Sequence, residues 1–98
     1  MTKVELTHDG DIYVLLCRGH AQTPELCAAV STLCYTLAGF LHTVPAWVQE
    51  AKLDPGDVRI EFVSRHVSAR DAFNMTAVGF LQLEKSCRDG IKVTVKDD

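Results

Sequence analysis

Residues 12–31 read Ile-Tyr-Val-Leu-Leu-Cys-Arg-Gly-His-Ala-Gln-Thr-Pro-Glu-Leu-Cys-Ala-Ala-Val-Ser, and the change of character midway decides the fold. Ile12 to Cys17 is almost continuously apolar, as expected of a strand lying centrally in a sheet. Thr23-Pro24-Glu25 then carries three helix-start signals. Threonine can cap, proline suits the first helical position, and glutamate complements the positive end of the helix dipole. In helical projection Leu26, Val30, Leu33, Cys34, Leu37, Phe40 and Leu41 share one side, while Ala28, Thr32, Tyr35 and Gly39 take the other. The spacing therefore predicts a strand followed directly by a helix whose apolar stripe faces a sheet.

Working outward, residues 2–7 and 12–18 flank His8-Asp9-Gly10-Asp11, whose Asp-Gly pair suits a tight hairpin turn. Beyond the helix, Trp47 to Leu53 and Val58 to Val63 read as a second hairpin around Asp54-Pro55-Gly56-Asp57. Val58, Ile60 and Phe62 point inward in this reading, and Trp47 is taken as strand core rather than as a peptide-binding aromatic. Ser68-Ala69-Arg70-Asp71 resembles a capping box with Asp for the usual Glu, and Ala69, Phe73, Thr76, Phe80, Leu83 and Cys87 form the next helical stripe. Met75, Val78 and Leu81 lie off that stripe and widen the helix's apolar surface, which suggests a dimer interface. Asp89-Gly90 stops the helix, and residues 91–95 alternate like a half-buried last strand.

The predicted order is ββαββαβ over a single domain spanning residues 1–98. Hairpin connections imply a mainly antiparallel sheet, and two amphipathic helices belong on one of its faces, so the expected class is an α+β two-layer sandwich. A chain of 98 residues supports one core. Its 47% hydrophobic and 23% charged residues place it among globular rather than disordered sequences.

Thirteen acidic against ten basic residues give a net charge of −3, so no whole-molecule positive field exists and direct nucleic-acid binding is not expected. No apolar run approaches the roughly 18–20 residues that span a bilayer, and the first residues lack a signal-peptide core; the expectation is a cytoplasmic protein without membrane contact. Cys17, Cys27, Cys34 and Cys87 are then expected as free thiols. Cys17, His20 and Cys27 loosely imitate half a zinc site, but no second half follows, so neither metal nor cofactor is expected.

Gly19 to Ser31 puts a histidine at a strand exit and a cysteine in a helix's first turn. Helix N-termini favour thiolates through the dipole and unpaired N–H groups, and a thiolate is the nucleophilic form. Cys27 sits at the edge of the apolar stripe and Cys34 well inside it. If His20 folds back over the helix start, its imidazole can take the thiol proton and return it to a leaving amine. Amides near Leu26 and Cys27 would face the oxyanion, making acyl transfer the natural reaction class. Against this stand the ordinary roles: free cysteines are mostly small buried hydrophobes, and isolated histidines mostly solvated or satisfied in the core. His8, His42 and His66 are read as solvated loop residues, and Cys17 as a packed thiol rather than a redox partner of Cys27.

Gly19-His20-Ala21 followed by Cys27-Ala28-Ala29-Val30-Ser31 resembles the signature of the bacterial ribosomal-processing cysteine proteases. The order of elements follows that family, including Gly79-Phe80-Leu81 in the helix before the last strand. The resemblance implies a two-layer α+β fold, usually homodimeric, that removes a short N-terminal extension from a large-subunit ribosomal protein. It implies His20 as base and Cys27 as nucleophile, with Gly19 giving backbone clearance and Ser31 hydrogen-bonding support. The partner would be a peptide or the N-terminal segment of a ribosomal protein. Two departures stand out: only residues 21–26 separate His20 from Cys27, where the family usually carries a longer glycine-containing loop, and Pro24 stands where the family has an acidic residue, with Glu25 one position later. The rival expectation is a noncatalytic ribosome-associated or assembly module that keeps the fold.

Overall fold

The computed structural model describes residues 1–97. Its opening hairpin forms because Gly10 accepts φ +61°, a left-handed conformation that turns β1 (Thr2–Asp9) into β2 (Ile12–Arg18). Gly56, at φ +76°, performs the same reversal between β3 (Trp47–Asp54) and β4 (Asp57–Val63). Helices α1 (Pro24–Phe40) and α2 (Val67–Ser86) follow the hairpins, and β5 (Ile91–Asp97) completes the sheet.

The strands lie in the order β3-β4-β2-β1-β5. Every pair is antiparallel except β1 with β5, which run parallel with Thr2 opposite Ile91. The sheet is thus mixed but mainly antiparallel, and β2 is its central strand, as its apolar run demands. Alternate residues Val4, Leu6, Tyr13, Leu15, Cys17, Val58, Ile60 and Phe62 are buried in one cluster with Leu26, Val30, Cys34 and Leu37 of α1 and Ala69, Phe73, Ala77 and Phe80 of α2. This is a two-layer α+β sandwich in the expected order.

Aromatic packing concentrates at one end of that core. Tyr13 stacks on Phe62 with centroids 4.8 Å apart, and Phe73 meets both rings edge-on. His8 completes the column, stacked on Tyr13 at 4.1 Å. It belongs to β1 and is half-buried, so it is not the solvated turn residue expected from sequence. Burial raises the Tyr13 phenol pKa, the largest of several influences on it.

Two further expectations are corrected. Trp47 is 71% exposed, because it lies opposite Val63 on the uncovered face and Val48 takes the inward position. A one-residue change of parity moves every side chain of a strand to the other face, and the register shift between Val48 and Glu50 leaves no mark in the composition. Helix α2 is capped by His66, whose Nδ1 accepts from the Ser68 N–H at 3.1 Å, so Ser68 lies inside the helix rather than capping it. Cys87 ends α2 at the C-cap, half-buried and packed against the core as its place on the stripe predicts.

Removing the buried Phe62 ring leaves Tyr13 and Phe73 without their shared partner. Phe62→Ala is expected to lose about 3–5 kcal/mol in urea unfolding, whereas Trp47→Ala should stay within about 0.5 kcal/mol of the parent.

Candidate active site

The segment that joins β2 to α1 is residues 19–23, and its first residue is tied down on three sides. The Gly19 N–H donates to the Gly56 carbonyl at 3.0 Å, and the Gly19 carbonyl accepts from Thr2 Oγ1 at 3.4 Å. Gly19 has φ +93°, and a Cβ there would run into the Met1 carbonyl oxygen, so both conformation and space require glycine.

Held this way, the chain lays the exposed His20 imidazole across the second hairpin's turn. A Cβ added to Gly56 would meet His20 Cε1 at 2.7 Å and Nδ1 at 2.9 Å. Sequence reading identifies Asp54-Pro55-Gly56-Asp57 as a turn but gives no sign that it sits beside His20, since that contact depends on the β4–β2 pairing. The turn's flank is closed by Lys52, which reaches Asp57 at 2.7 Å and holds that carboxyl below its usual range through the shared hydrogen bond.

Thr23 begins α1 in extended backbone, and its Oγ1 accepts from the Leu26 N–H at 3.2 Å. The Cys27 N–H donates to the Thr23 carbonyl at 3.0 Å. Both amides expected to face an oxyanion are therefore already engaged, because the cap that starts the helix uses them. Proline has no N–H, so the Glu25 amide is the first-turn donor that remains; among the described residues nothing accepts from it.

Cys27 is exposed in that first turn, whereas Cys17 and Cys34 are buried. Their sulfurs lie 3.6 Å apart, and the hydrogen bond with Cys34, together with burial, raises the Cys17 pKa. Cys17 is thus the partner of Cys34, not of Cys27. Cys27 lines a narrow hollow of about 50 Å³ with Gly19, Ala21, Ser31, Tyr35 and Gly56. Ser31 is half-buried one turn beyond Cys27 on the same wall. Among the described residues no hydrogen bond joins His20 to Cys27; His20 does not line the hollow, although its neighbours Gly19 and Ala21 and the Gly56 it lies against do. The described residues contain no group of three or more His, Cys, Asp or Glu arranged to hold a metal.

Fold and site together define a small two-layer α+β domain with an accessible thiol at the start of its first helix, facing a groove bounded by the β2 exit and the second hairpin. The chain matches no protein-family model and no curated protein sequence. In structure it is similar to the ribosomal processing protease Prp from S. aureus in complex with a covalently linked product peptide. The TM-score is 0.84 at 17% identity, covering 98% of this chain and 100% of that one. The same protease with a substrate peptide gives 0.82 at 16% identity, with the same coverage. The SMU.848 protein from Streptococcus mutans gives 0.76 at 17% identity over 100% of this chain and 96% of that one. At these identities the likeness is one of fold.

Thiol exposure makes the site testable without a substrate. Iodoacetamide under native conditions should label Cys27 first, with Cys17 and Cys34 modified only after unfolding; peptide mass mapping reads the order, and equal rates for all three contradict the geometry.

Proposed function

We propose that this chain is a cysteine endopeptidase that removes a short N-terminal extension from a large-subunit ribosomal protein in the bacterial cytoplasm. One observation carries the reading: the exposed Cys27 thiol opens a helix beside the groove that the His20 loop bounds, in a fold similar to a protease solved with a covalently linked product peptide. Gly19, Cys27 and Ser31 line this hollow, and His20 lies against its Gly56, which supports the reading.

In this mechanism an extended peptide lies between the start of α1 and the β3–β4 turn. His20 swings off Gly56 and takes the proton from Cys27 Sγ, and the sulfur attacks the scissile carbonyl carbon. The tetrahedral oxyanion is placed near the Glu25 N–H, the first-turn amide left unpaired by the cap. As the C–N bond breaks, His20 returns the proton to the leaving amine. The shortened protein leaves as that amine; water then attacks the thioester with His20 as base, releasing the excised extension as its carboxylic acid and restoring the thiol. Ser31 supports the thiol's wall, and Gly19 keeps the loop against Gly56. Cys17 and Cys34 take no part.

A homodimer accompanies this reading. Phe40 and Met75 are exposed at the rim of an apolar hollow between the helices, and Val78 and Leu81 continue the surface along α2. Sedimentation should report a dimer, and Met75→Glu should shift it toward monomer.

A noncatalytic binder is favoured by a different observation, the engaged amides of Leu26 and Cys27 together with the open His20–Cys27 pair. The two readings separate on incubation with the host's precursor ribosomal protein. Proteolysis predicts a mass loss with the parent, none with Cys27→Ala, and a rate reduced about 10²–10⁴-fold with His20→Ala. An unchanged precursor mass with the intact thiol overturns the protease and leaves the binder.

A further inference from the structure

The net charge of −3 conceals a segregation of cations. Lys52, Arg59, Arg65 and Arg70 each lie within 4 Å of a carboxylate. Among the described residues Lys3, Arg18, Lys85, Arg88 and Lys92 make no such pair. These five are exposed and gather at one end of the molecule, while Lys96 lies apart from them, opposite Thr7 further along β5. Lys3 stands directly opposite Arg18 on one side and Lys92 on the other, so three cations form a row across β2, β1 and β5. The row lies on the sheet face that the helices leave uncovered, since Val4, Cys17 and Ile91 beside it point into the core. Lys92 continues into a hollow of about 400 Å³ that it shares with Met1, Glu84, Lys85, Arg88 and Ile91.

Like charges directly opposite on neighbouring strands destabilise a sheet. The nearby carboxylates relieve this row only in part. Asp57 stands opposite Arg18 and is influenced by its charge, but Asp57 is shared with Lys52 at 2.7 Å, and Glu84 accepts from the Val93 N–H at 2.7 Å. Glu5 and Asp89 are exposed and pair with none of the five. A fold that leaves Lys3 and Lys92 side by side without a carboxylate partner among the described residues presents a surface that anions from outside can neutralise.

We propose that this end of the sheet is a docking surface for the phosphate backbone of structured RNA. The row crosses the strands at intervals of about 4.8 Å, a regular series of charges suited to a polyanion lying across the sheet. An acidic peptide adding to the free β5 edge would reach Lys92 but not Lys3 or Arg18, which lie one and two strands further in. A peptide crossing the strands would form no main-chain bonds with them. None of the five cations has an exposed aromatic residue beside it in the row, so the surface takes phosphates without stacking bases. None of the three cations in the row lines the hollow beside Cys27.

The test measures binding of a short double-stranded RNA to the full chain across a salt series, beside polyglutamate as an acidic-peptide probe. The parent should bind RNA at low salt, with log affinity falling linearly against log salt. Lys3→Gln, Arg18→Gln and Lys92→Gln combined should flatten that slope by about two to three, at roughly 0.9 for each phosphate no longer neutralised. Arg65→Gln, at the opposite end, should leave affinity and slope unchanged. The triple variant's thermal midpoint should not fall, because only like-charge repulsion and exposed side chains are removed. Absence of RNA binding at low salt overturns the proposal, as does an equal weakening with Arg65→Gln. Binding of polyglutamate as tight as RNA, abolished in the same triple variant, overturns it in favour of a protein partner.

Discussion

Everything at the candidate site depends on how β2 ends. Its last residues would otherwise be a loose exit from the sheet, but Gly19 gives its N–H to Gly56 and accepts from Thr2 while its Cα lies against the Met1 carbonyl. Three strand ends that are distant in sequence are thereby joined at one backbone position. The imidazole of the next residue inherits its place from that junction, and the start of α1 is set only a few residues later. No side chain at Gly19 could make this arrangement, because any Cβ would force the first strand away.

The same geometry sorts the thiols into different chemistry. The β2 and α1 partners Cys17 and Cys34 face each other across the layers, buried in the core and joined by a weak S–H hydrogen bond. Cys27 occupies the turn before α1 meets the sheet, and solvent reaches it. Two helical turns separate inert from accessible sulfur, and the apolar stripe decides which is which. The cap adds a constraint of its own: Thr23 satisfies the amides that a helix start would otherwise offer a ligand.

The architecture is legible because its signals are local. The apolar run of β2, Thr23-Pro24 before α1 and the glycine turns at Gly10 and Gly56 each act over a few residues, and the structure places elements where they predict. Cys27 is legible by the same helix projection that buries Cys34. What stays hidden requires pairing between distant segments. The sheet order brings Gly56 under His20 and sets Lys3 between Arg18 and Lys92, and neither juxtaposition leaves a trace in composition. Trp47 escapes a sequence reading because a strand pattern shows alternation without saying which parity is inside. His66 gives no capping signal because histidine seldom fills that role beside an available serine.

The parallel pairing of β1 with β5 carries a consequence for biosynthesis. The first hairpin contains only short-range contacts and can close early, yet one long edge of β1 stays bare until the final strand has been made and α2 has crossed over. During that interval Val4 and Leu6 sit in an unprotected strand border able to recruit another nascent chain. β5, translated long after β1, therefore seals the edge that the first hairpin leaves bare, and its removal would reopen that sticky border.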